Sequence, residues 1–104
     1  NLFLDKDNKF ITVECCIAEL KGWTLKNNQD FIEVFKVIRA NSEIISVNQN
    51  DWIDAAEERF KQKKTQRDFG LIDSVLLTKQ KELNCKIISG DKHFKNIKNV
   101  LFLD

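Results

Sequence analysis

Residues 87–94 read IISGDKHF, a run of branched apolar residues that ends in a glycine, an aspartate and the single histidine of the chain. The apolar run is typical of a buried strand, so Asp91 directly follows a predicted strand end. The simplest interpretation is that Asp91 caps a short helix beginning at Lys92. A second interpretation, in which Asp91 acts in a binding or catalytic site, depends on the side chains that the rest of the fold brings beside it.

Strand and helix patterns alternate along the rest of the chain. Short branched or aromatic runs predict strands at Phe10–Val13, Ile44–Val47, Lys86–Ser89 and Val100–Leu103. Apolar residues at helical spacing predict helices at Glu14–Lys26, at Asp30–Ala40, after a capping Asn50, and at Leu71–Leu83. Trp52 and Phe60 fall on the expected core side of the third helix. Because parallel neighbours need a crossover that a helix usually supplies, the alternation predicts an α/β fold with a mostly parallel sheet.

Composition predicts one small domain over residues 1–104, with 42% hydrophobic and 32% charged residues. No apolar run approaches the length of about 18 residues that a membrane span needs. The net charge of +1 gives no overall signature of a nucleic-acid binder, so such binding would have to rest on local patches. Cys15, Cys16 and Cys85 form no Cys-x-x-Cys pair, which favours reduced thiols in a cytoplasmic protein without structural zinc.

One carboxylate lies within an apolar helical stretch, FGLIDSVLLT at residues 69–78. On a helix, Asp73 shares a face with Leu76 and Leu77, and that face is expected to point inward. An isolated carboxylate there costs several kcal/mol of desolvation unless it is paired, hydrogen-bonded or bound to a cation. The alternative is a capping role at the start of this helix, which Asp68 or Asp73 would serve equally well.

Glu19 occupies a comparable place in VECCIAEL, residues 13–20, where a strand end turns into a helix. By itself it would be an ordinary helix-face charge. In open α/β sheets, however, the carboxyl ends of the strands form the binding crevice. Glu19, Asp73 and Asp91 all lie near such junctions or on an inward helix face, so we expect their carboxylates to converge.

In order and spacing, IAEL, LIDSVLL and IISGDKHF resemble the motifs of the PIN domain, a family of metal-dependent ribonucleases. The resemblance covers roughly residues 10–104 and implies a three-layer α/β/α fold. It further implies that Glu19, Asp73 and Asp91 are the catalytic residues and metal ligands, with Ser89 in place of the family's hydroxyl residue before the last acid. The implied cofactor is Mg²⁺ or Mn²⁺, which suits oxygen ligands. The implied partners are an RNA substrate, an antitoxin protein for a toxin of the VapC kind, and a second copy in a homodimer.

The start of the chain departs from the PIN pattern. PIN domains open with a strand carrying an aspartate followed by Thr or Ser, and one or two helices precede the glutamate. Here Asp5 is followed by Lys6 and lies only 14 residues before Glu19. The resemblance therefore predicts a domain that is incomplete at its N-terminus, with Asp5 as a replacement ligand left open. His93 stands where many members have another acid and is not included in the predicted site.

Basic residues flank the predicted site in sequence, and they have two interpretations. The first group is Lys61, Lys63, Lys64 and Arg67, before the Asp73 helix, and the second is Lys92, Lys95 and Lys98, after Asp91. They would either contact substrate phosphates or form a solvated charged surface. The functional alternative to a nuclease is a catalytically incomplete PIN-like module that works through a protein partner.

Overall fold

The computed structural model describes residues 2–7 and 9–103 of the chain. Its strands are β1 Leu2–Lys6, β2 Lys9–Val13, β3 Ser42–Ile45, β4 Lys86–Ser89 and β5 Val100–Phe102. Its helices are α1 Cys15–Lys26, α2 Phe31–Asn41, α3 Gln49–Gln62 and α4 Leu71–Leu83, and a short 3-10 helix spans Lys92–Phe94. All the predicted strands and helices are present, and β1 is an additional strand.

The strands form one sheet in the order β3-β2-β1-β4-β5. The pairs β2-β3 and β4-β5 are parallel, whereas β1 is antiparallel to both β2 and β4. The predicted α/β class is confirmed, but the prediction of a mostly parallel sheet was wrong, because two of the four strand pairs are antiparallel. The sheet is mixed, because the strand at its centre runs against its four companions.

The central strand is held by its pairing on both sides. Leu4 lies opposite Ile11 of β2 and opposite Ile87 of β4, and all three side chains are buried. Residues in register on adjacent strands share a face, so this row forms part of the core. The turn into β2 passes through Asp7 at φ 53°, a left-handed conformation that Asp tolerates better than most residues.

Side-chain caps begin two of the helices. The Oδ1 atom of Asp30 accepts a hydrogen bond of 2.9 Å from the N–H of Ile32 at the start of α2. α3 begins after Asn48 rather than after Asn50, because Asn48 and Asp51 each accept a 2.9 Å hydrogen bond from the other's backbone N–H. This reciprocal capping box satisfies two N–H groups at the helix start.

The buried side of α3 differs from the predicted one. Asp51, Ala55 and Glu58 are buried, whereas Trp52 is 38% and Phe60 71% exposed. The two buried acids pair with lysines of α4, so the side of α3 that packs against α4 includes charged residues as well as Ala55. A hydrophobic pattern alone misses such a side, and the prediction of Trp52 and Phe60 as core residues was wrong.

α4 carries the largest share of the helical core. Val75, Leu76 and Leu77 are almost fully buried. The helix ends as predicted at Asn84, which adopts φ 51° and donates its N–H to the carbonyl of Gln80. The first turn of α4 carries Asp73, which lies near Asp91 in the loop after β4, where the candidate site lies.

Two further predictions concern the thiols and the membrane. Cys15, Cys16 and Cys85 are all free, and Cys16 and Cys85 are buried. None of the helices within residues 2–7 and 9–103 is long and apolar enough to cross a bilayer.

Candidate metal centre

The loop that leaves β4 is shaped by two local hydrogen bonds. The buried Ser89 Oγ accepts the N–H of Asp91 at 2.9 Å. Asp91 Oδ1 in turn accepts the N–H of His93 at 2.9 Å and so caps the 3-10 helix. The capping interpretation of Asp91 is therefore confirmed. Both bonds join residues two apart, the local pattern that Ser and Asp favour where a strand ends.

Asp73 lies in the first turn of α4, and its Oδ2 accepts the N–H of Gly70 at 3.2 Å. The predicted capping role is thus present as well. The side chain is also buried, beside the apolar residues that follow it on the helix. Capping uses one lone pair of a carboxylate that has about four acceptor sites, so both aspartates keep acceptor capacity for a cation.

His93 lies between these two aspartates. Its Nδ1 atom is 3.2 Å from Asp73 Oδ2 and 3.2 Å from Asp91 Oδ1. Ligand atoms of Asp73, Asp91 and His93 all lie within 4.8 Å of one another, a spacing that could hold a metal ion. The structure thus differs from the sequence prediction, which left His93 out of the site.

The imidazole is enclosed on its other edge as well. Its Nε2 atom lies 3.0 Å from Asp68 Oδ2, and the ring of Phe69 packs against it edge-on at 5.8 Å. Both ring nitrogens are buried, yet neither makes an aligned hydrogen bond despite the nearby carboxylate oxygens. Their partners are therefore the carboxylate oxygens of Asp68, Asp73 and Asp91, at 3.0 to 3.2 Å, without aligned hydrogen bonds.

The charges around the site shift several pKa values. The contact with Asp68 raises the pKa of His93, burial opposes this, and the charges of Asp91 and Asp73 raise it further. Burial raises the pKa of Asp73, the Gly70 N–H opposes that change, and the charge of Asp91 adds to it. The carboxylates around the ring therefore favour the protonated form of His93.

Glu19 lies on α1, outside the group formed by Asp73, Asp91 and His93. Its pKa is nevertheless raised, first by burial and then by the negative charges of Asp73 and Asp91. That electrostatic coupling indicates that Glu19 belongs to the same region. The structure therefore brings together two of the three predicted carboxylates at ligand spacing and leaves the third at the margin.

Asp5 is at the other end of the sheet. It pairs in register with Lys86, the first residue of β4, whereas Asp91 follows the last residue of that strand. At about 3.3 Å per strand residue, the two positions are more than 10 Å apart along the strand. Asp5 is thus not available as a replacement ligand in this arrangement.

The donor set fits a divalent cation. It combines two carboxylates with a buried imidazole nitrogen that has no aligned hydrogen bond. Carboxylate oxygens and imidazole nitrogens are common ligands of Mn²⁺, Fe²⁺, Co²⁺ and Zn²⁺, and carboxylates alone suit Mg²⁺. A cation here would offset the negative charge that raises the pKa of Asp73 and Glu19.

The segment between α3 and α4 joins the basic residues to the site. Gln66 Nε2 donates a 2.8 Å hydrogen bond to the backbone carbonyl of His93. In the same segment, Lys63, Lys64 and Arg67 are exposed. The segment that carries these basic residues therefore contacts the centre through Gln66.

Comparison with known proteins gives no relative for this chain: no family model, no curated protein and no solved structure matches it.

Proposed function

We propose that this chain is a PIN-type ribonuclease that hydrolyses phosphodiester bonds of RNA with the help of Mg²⁺ or Mn²⁺. The observation that carries the proposal is the approach of Asp73 and Asp91 to ligand spacing beyond the carboxyl end of β4. The motifs that contain these two residues are the same ones that resemble the PIN family. Geometry and resemblance thus support the same two residues independently.

The proposed roles follow from position and burial. Asp73 and Asp91 would hold the ion, and Glu19 would contribute from the rim of the site, because its carboxylate is coupled to theirs. A bound divalent ion supplies an activated water and offsets the charge that builds up on the phosphate. The Gly70 N–H donates to Asp73 Oδ2 and the Ser89 Oγ accepts the Asp91 N–H, and these two hydrogen bonds hold the aspartates in place.

RNA as the substrate is supported by the exposed basic residues of the segment between α3 and α4. Exposed lysines there would contact the phosphates on either side of the scissile bond. Phe60 adds an exposed aromatic ring at the end of α3, with the Nζ of Lys64 at 5.3 Å from its centre. Aromatic rings beside cations are common contacts for single-stranded nucleic acid.

Several finer features belong to the same proposal. They are the three-layer arrangement of the PIN fold, a homodimer, an antitoxin partner of the VapC kind and a cytoplasmic location. The free thiols suit a reducing compartment. The remaining features rest on the family resemblance alone.

The second candidate is a PIN-like interaction module without catalysis. Two observations favour it: Glu19 lies outside the ligand group, and Asp5 is at the opposite end of β4. A centre with only two carboxylates at ligand spacing would hold Mg²⁺ weakly, because Mg²⁺ is usually bound through carboxylates and substrate phosphates together.

A cleavage assay separates the two candidates. Purified protein is incubated with single-stranded RNA and Mg²⁺ or Mn²⁺, and the products are resolved on a gel. Asp73→Asn should abolish cleavage, because it removes a charged ligand and keeps the shape of the side chain. Asp54→Asn makes the same chemical change at an exposed position of α3 and should leave cleavage intact.

The contrary results are equally clear. Equal cleavage by the parent and Asp73→Asn would contradict the proposed site. Folded parent protein that cleaves none of a broad set of RNAs with either ion would favour the interaction module.

A further inference from the structure

We infer that His93 is itself a metal ligand through Nδ1, so that the centre is a mixed nitrogen and oxygen site that prefers a first-row transition ion to Mg²⁺. This inference rests on the proposed metal centre and assigns its specificity. Asp68 is the positioning residue that orients the imidazole. The sequence prediction and the PIN resemblance place only carboxylates at this centre.

The spacing of the donor atoms supports a ligand role. Nδ1 of His93 is 3.2 Å from an oxygen of Asp73 and 3.2 Å from an oxygen of Asp91. Two adjacent ligands of an octahedral ion, each at about 2.1 Å, are about 3 Å apart. Nδ1 thus already has the separation of a neighbouring ligand from each aspartate oxygen, and all three ligand atoms lie within 4.8 Å of one another.

The state of the imidazole nitrogens is a second, independent observation. Both nitrogens are buried and neither makes an aligned hydrogen bond. The nearest partners of Nδ1 are the oxygens of Asp73 and Asp91, and neither contact has the angle of a good hydrogen bond. An ion between Nδ1 and the two aspartates would satisfy Nδ1.

Asp68 completes an arrangement that is common around bound metals. Its Oδ2 atom lies 3.0 Å from Nε2, the nitrogen on the far side of the ring from the two aspartates. A carboxylate at that nitrogen keeps the proton there and leaves the lone pair of the other nitrogen free for the ion. Because Asp68 is exposed, it can adjust to improve this contact when the ion binds.

The imidazole is also held in position from other sides. Phe69 packs against the ring, Gln66 binds the His93 carbonyl, and Asp91 accepts its backbone N–H. These contacts fix the ring and its backbone before any ion arrives. Preorganised ligands favour binding because less freedom is lost.

The chemistry of the ligands determines which metal ion the centre prefers. Mg²⁺ favours oxygen ligands and gives up its waters reluctantly, so an imidazole nitrogen is a poor ligand for it. First-row transition ions accept imidazole readily, and their affinities for a mixed site rise from Mn²⁺ towards Cu²⁺. Replacing His93 by aspartate would create an oxygen-only set and move the preference towards Mg²⁺.

The test uses Mn²⁺ as the probe, and its readout is independent of catalysis. Purified protein without a histidine tag is titrated with Mn²⁺, and pulsed electron paramagnetic resonance records coupling between the bound ion and nitrogen nuclei. Because the chain has a single histidine, an imidazole signal can come only from His93. Competition with Mg²⁺ measures the preference in the same samples.

The expected results distinguish the residues. The parent shows imidazole coupling and binds Mn²⁺ more tightly than Mg²⁺. His93→Asp loses the coupling and much of the preference for Mn²⁺. Asp68→Asn keeps the coupling and weakens Mn²⁺ binding by about tenfold. Asp54→Asn, on the exposed side of α3, behaves as the parent.

The contrary results separate this inference from the proposed function. If the parent binds Mn²⁺ without imidazole coupling, and Asp73→Asn abolishes that binding, the role of His93 is overturned and the carboxylate centre is retained. Absent Mn²⁺ binding, or binding that Asp73→Asn does not change, would overturn the metal centre and this inference together. Unchanged Mn²⁺ affinity in Asp68→Asn would remove Asp68 from the arrangement.

Discussion

The Nζ atom of Lys79 lies 2.8 Å from Oδ2 of Asp51, and both side chains are more than nine-tenths buried. The pair joins α4 to the first turn of α3, where Asp51 also belongs to the capping box. Glu82 approaches the same lysine at 3.0 Å from the solvent side. Because α4 also carries Asp73, this buried ion pair helps to position the helix that forms one side of the candidate centre.

Lys79→Met is expected to lower the free energy of unfolding by about 3 kcal/mol, because it leaves the buried Asp51 carboxylate without its cation. Urea unfolding followed by circular dichroism measures the change. Lys36→Met is the matched control, since Lys36 is 70% exposed in its pair with Glu33. Such exposed pairs contribute about 0 to 1 kcal/mol. Equal losses in the two variants would contradict the structural role of the buried pair.

The same pair predicts a dependence of stability on pH. Burial acts to raise the pKa of Asp51, but the hydrogen bonds from Lys79 and from the Asn48 backbone outweigh it, so the pKa lies below its ordinary value. A carboxyl whose pKa is lower in the folded state stabilises the fold above its unfolded pKa of about 3.9. That contribution is lost as the pH falls through the folded pKa.

Unfolding free energies of the parent and Lys79→Met between pH 2 and 6 test this expectation. The difference between the two proteins should be largest near pH 6 and should shrink as the pH falls towards the lowered pKa of Asp51 in the parent, because a protonated Asp51 no longer needs the charge of Lys79. Carboxyl groups away from Lys79, including Asp73 and Glu19 with their raised pKa values, are present in both proteins and cancel in the difference. Glu82 also loses its contact with Lys79, but its side chain is half exposed, so its contribution is the smaller one. A difference that stays constant over this range would contradict the assignment to Asp51.

The elements beside the candidate site were predictable because their signals are local. The predicted bounds of α4 and β4 are those of the structure, since an apolar helical run, an asparagine stop and a branched strand all lie within a few residues of one another. The strand β1 pairs with β2, the next element, and with β4, more than 80 residues later, and its central position was missed because it depends on the distant pairing. Short-range patterns contain no information about that pairing.

The residues of the candidate site were also predictable only where their signals in the sequence are local. Asp73 and Asp91 each have a local signal, a carboxylate in an apolar helix and one at a strand end, and the fold brings them together. The environment of His93 is set largely by Asp68 and Asp73, which lie on a distant segment of the chain. A lone histidine in the sequence gave no indication of those neighbours, although its spacing of two from Asp91 was a weak signal.

Ser89→Ala is expected to weaken Mn²⁺ binding, because the hydroxyl of Ser89 orients the loop that carries Asp91. The change removes the acceptor of the Asp91 N–H, a bond of 2.9 Å, and lowers stability by about 1 to 3 kcal/mol. Calorimetric titration measures the affinity, and urea unfolding measures the stability. The control is Ser46→Ala, at an exposed serine outside the site. Unchanged affinity in Ser89→Ala would show that Asp91 is oriented without this bond.

The exposed lysines between α3 and α4 give the last prediction, which concerns RNA. Replacing Lys63 and Lys64 by glutamine should weaken the binding of single-stranded RNA by metal-free protein. It should also reduce the slope of log affinity against log salt by about 1.4, since each phosphate contact contributes about 0.7 on a single strand. Fluorescence anisotropy at several salt concentrations measures both quantities while cleavage is prevented.

The matched control replaces two other exposed lysines, Lys26 at the end of α1 and Lys36 in α2, and so changes the net charge by the same amount. If the segment that contacts His93 through Gln66 is the RNA interface, only the first pair of substitutions lowers the slope. At a specific interface, counterion release depends on the particular lysines that contact the phosphates. A general effect of net charge would be the same whichever lysines are replaced. An equal loss of slope in both double variants would therefore place RNA binding outside this segment and remove the support that it gives to the nuclease proposal.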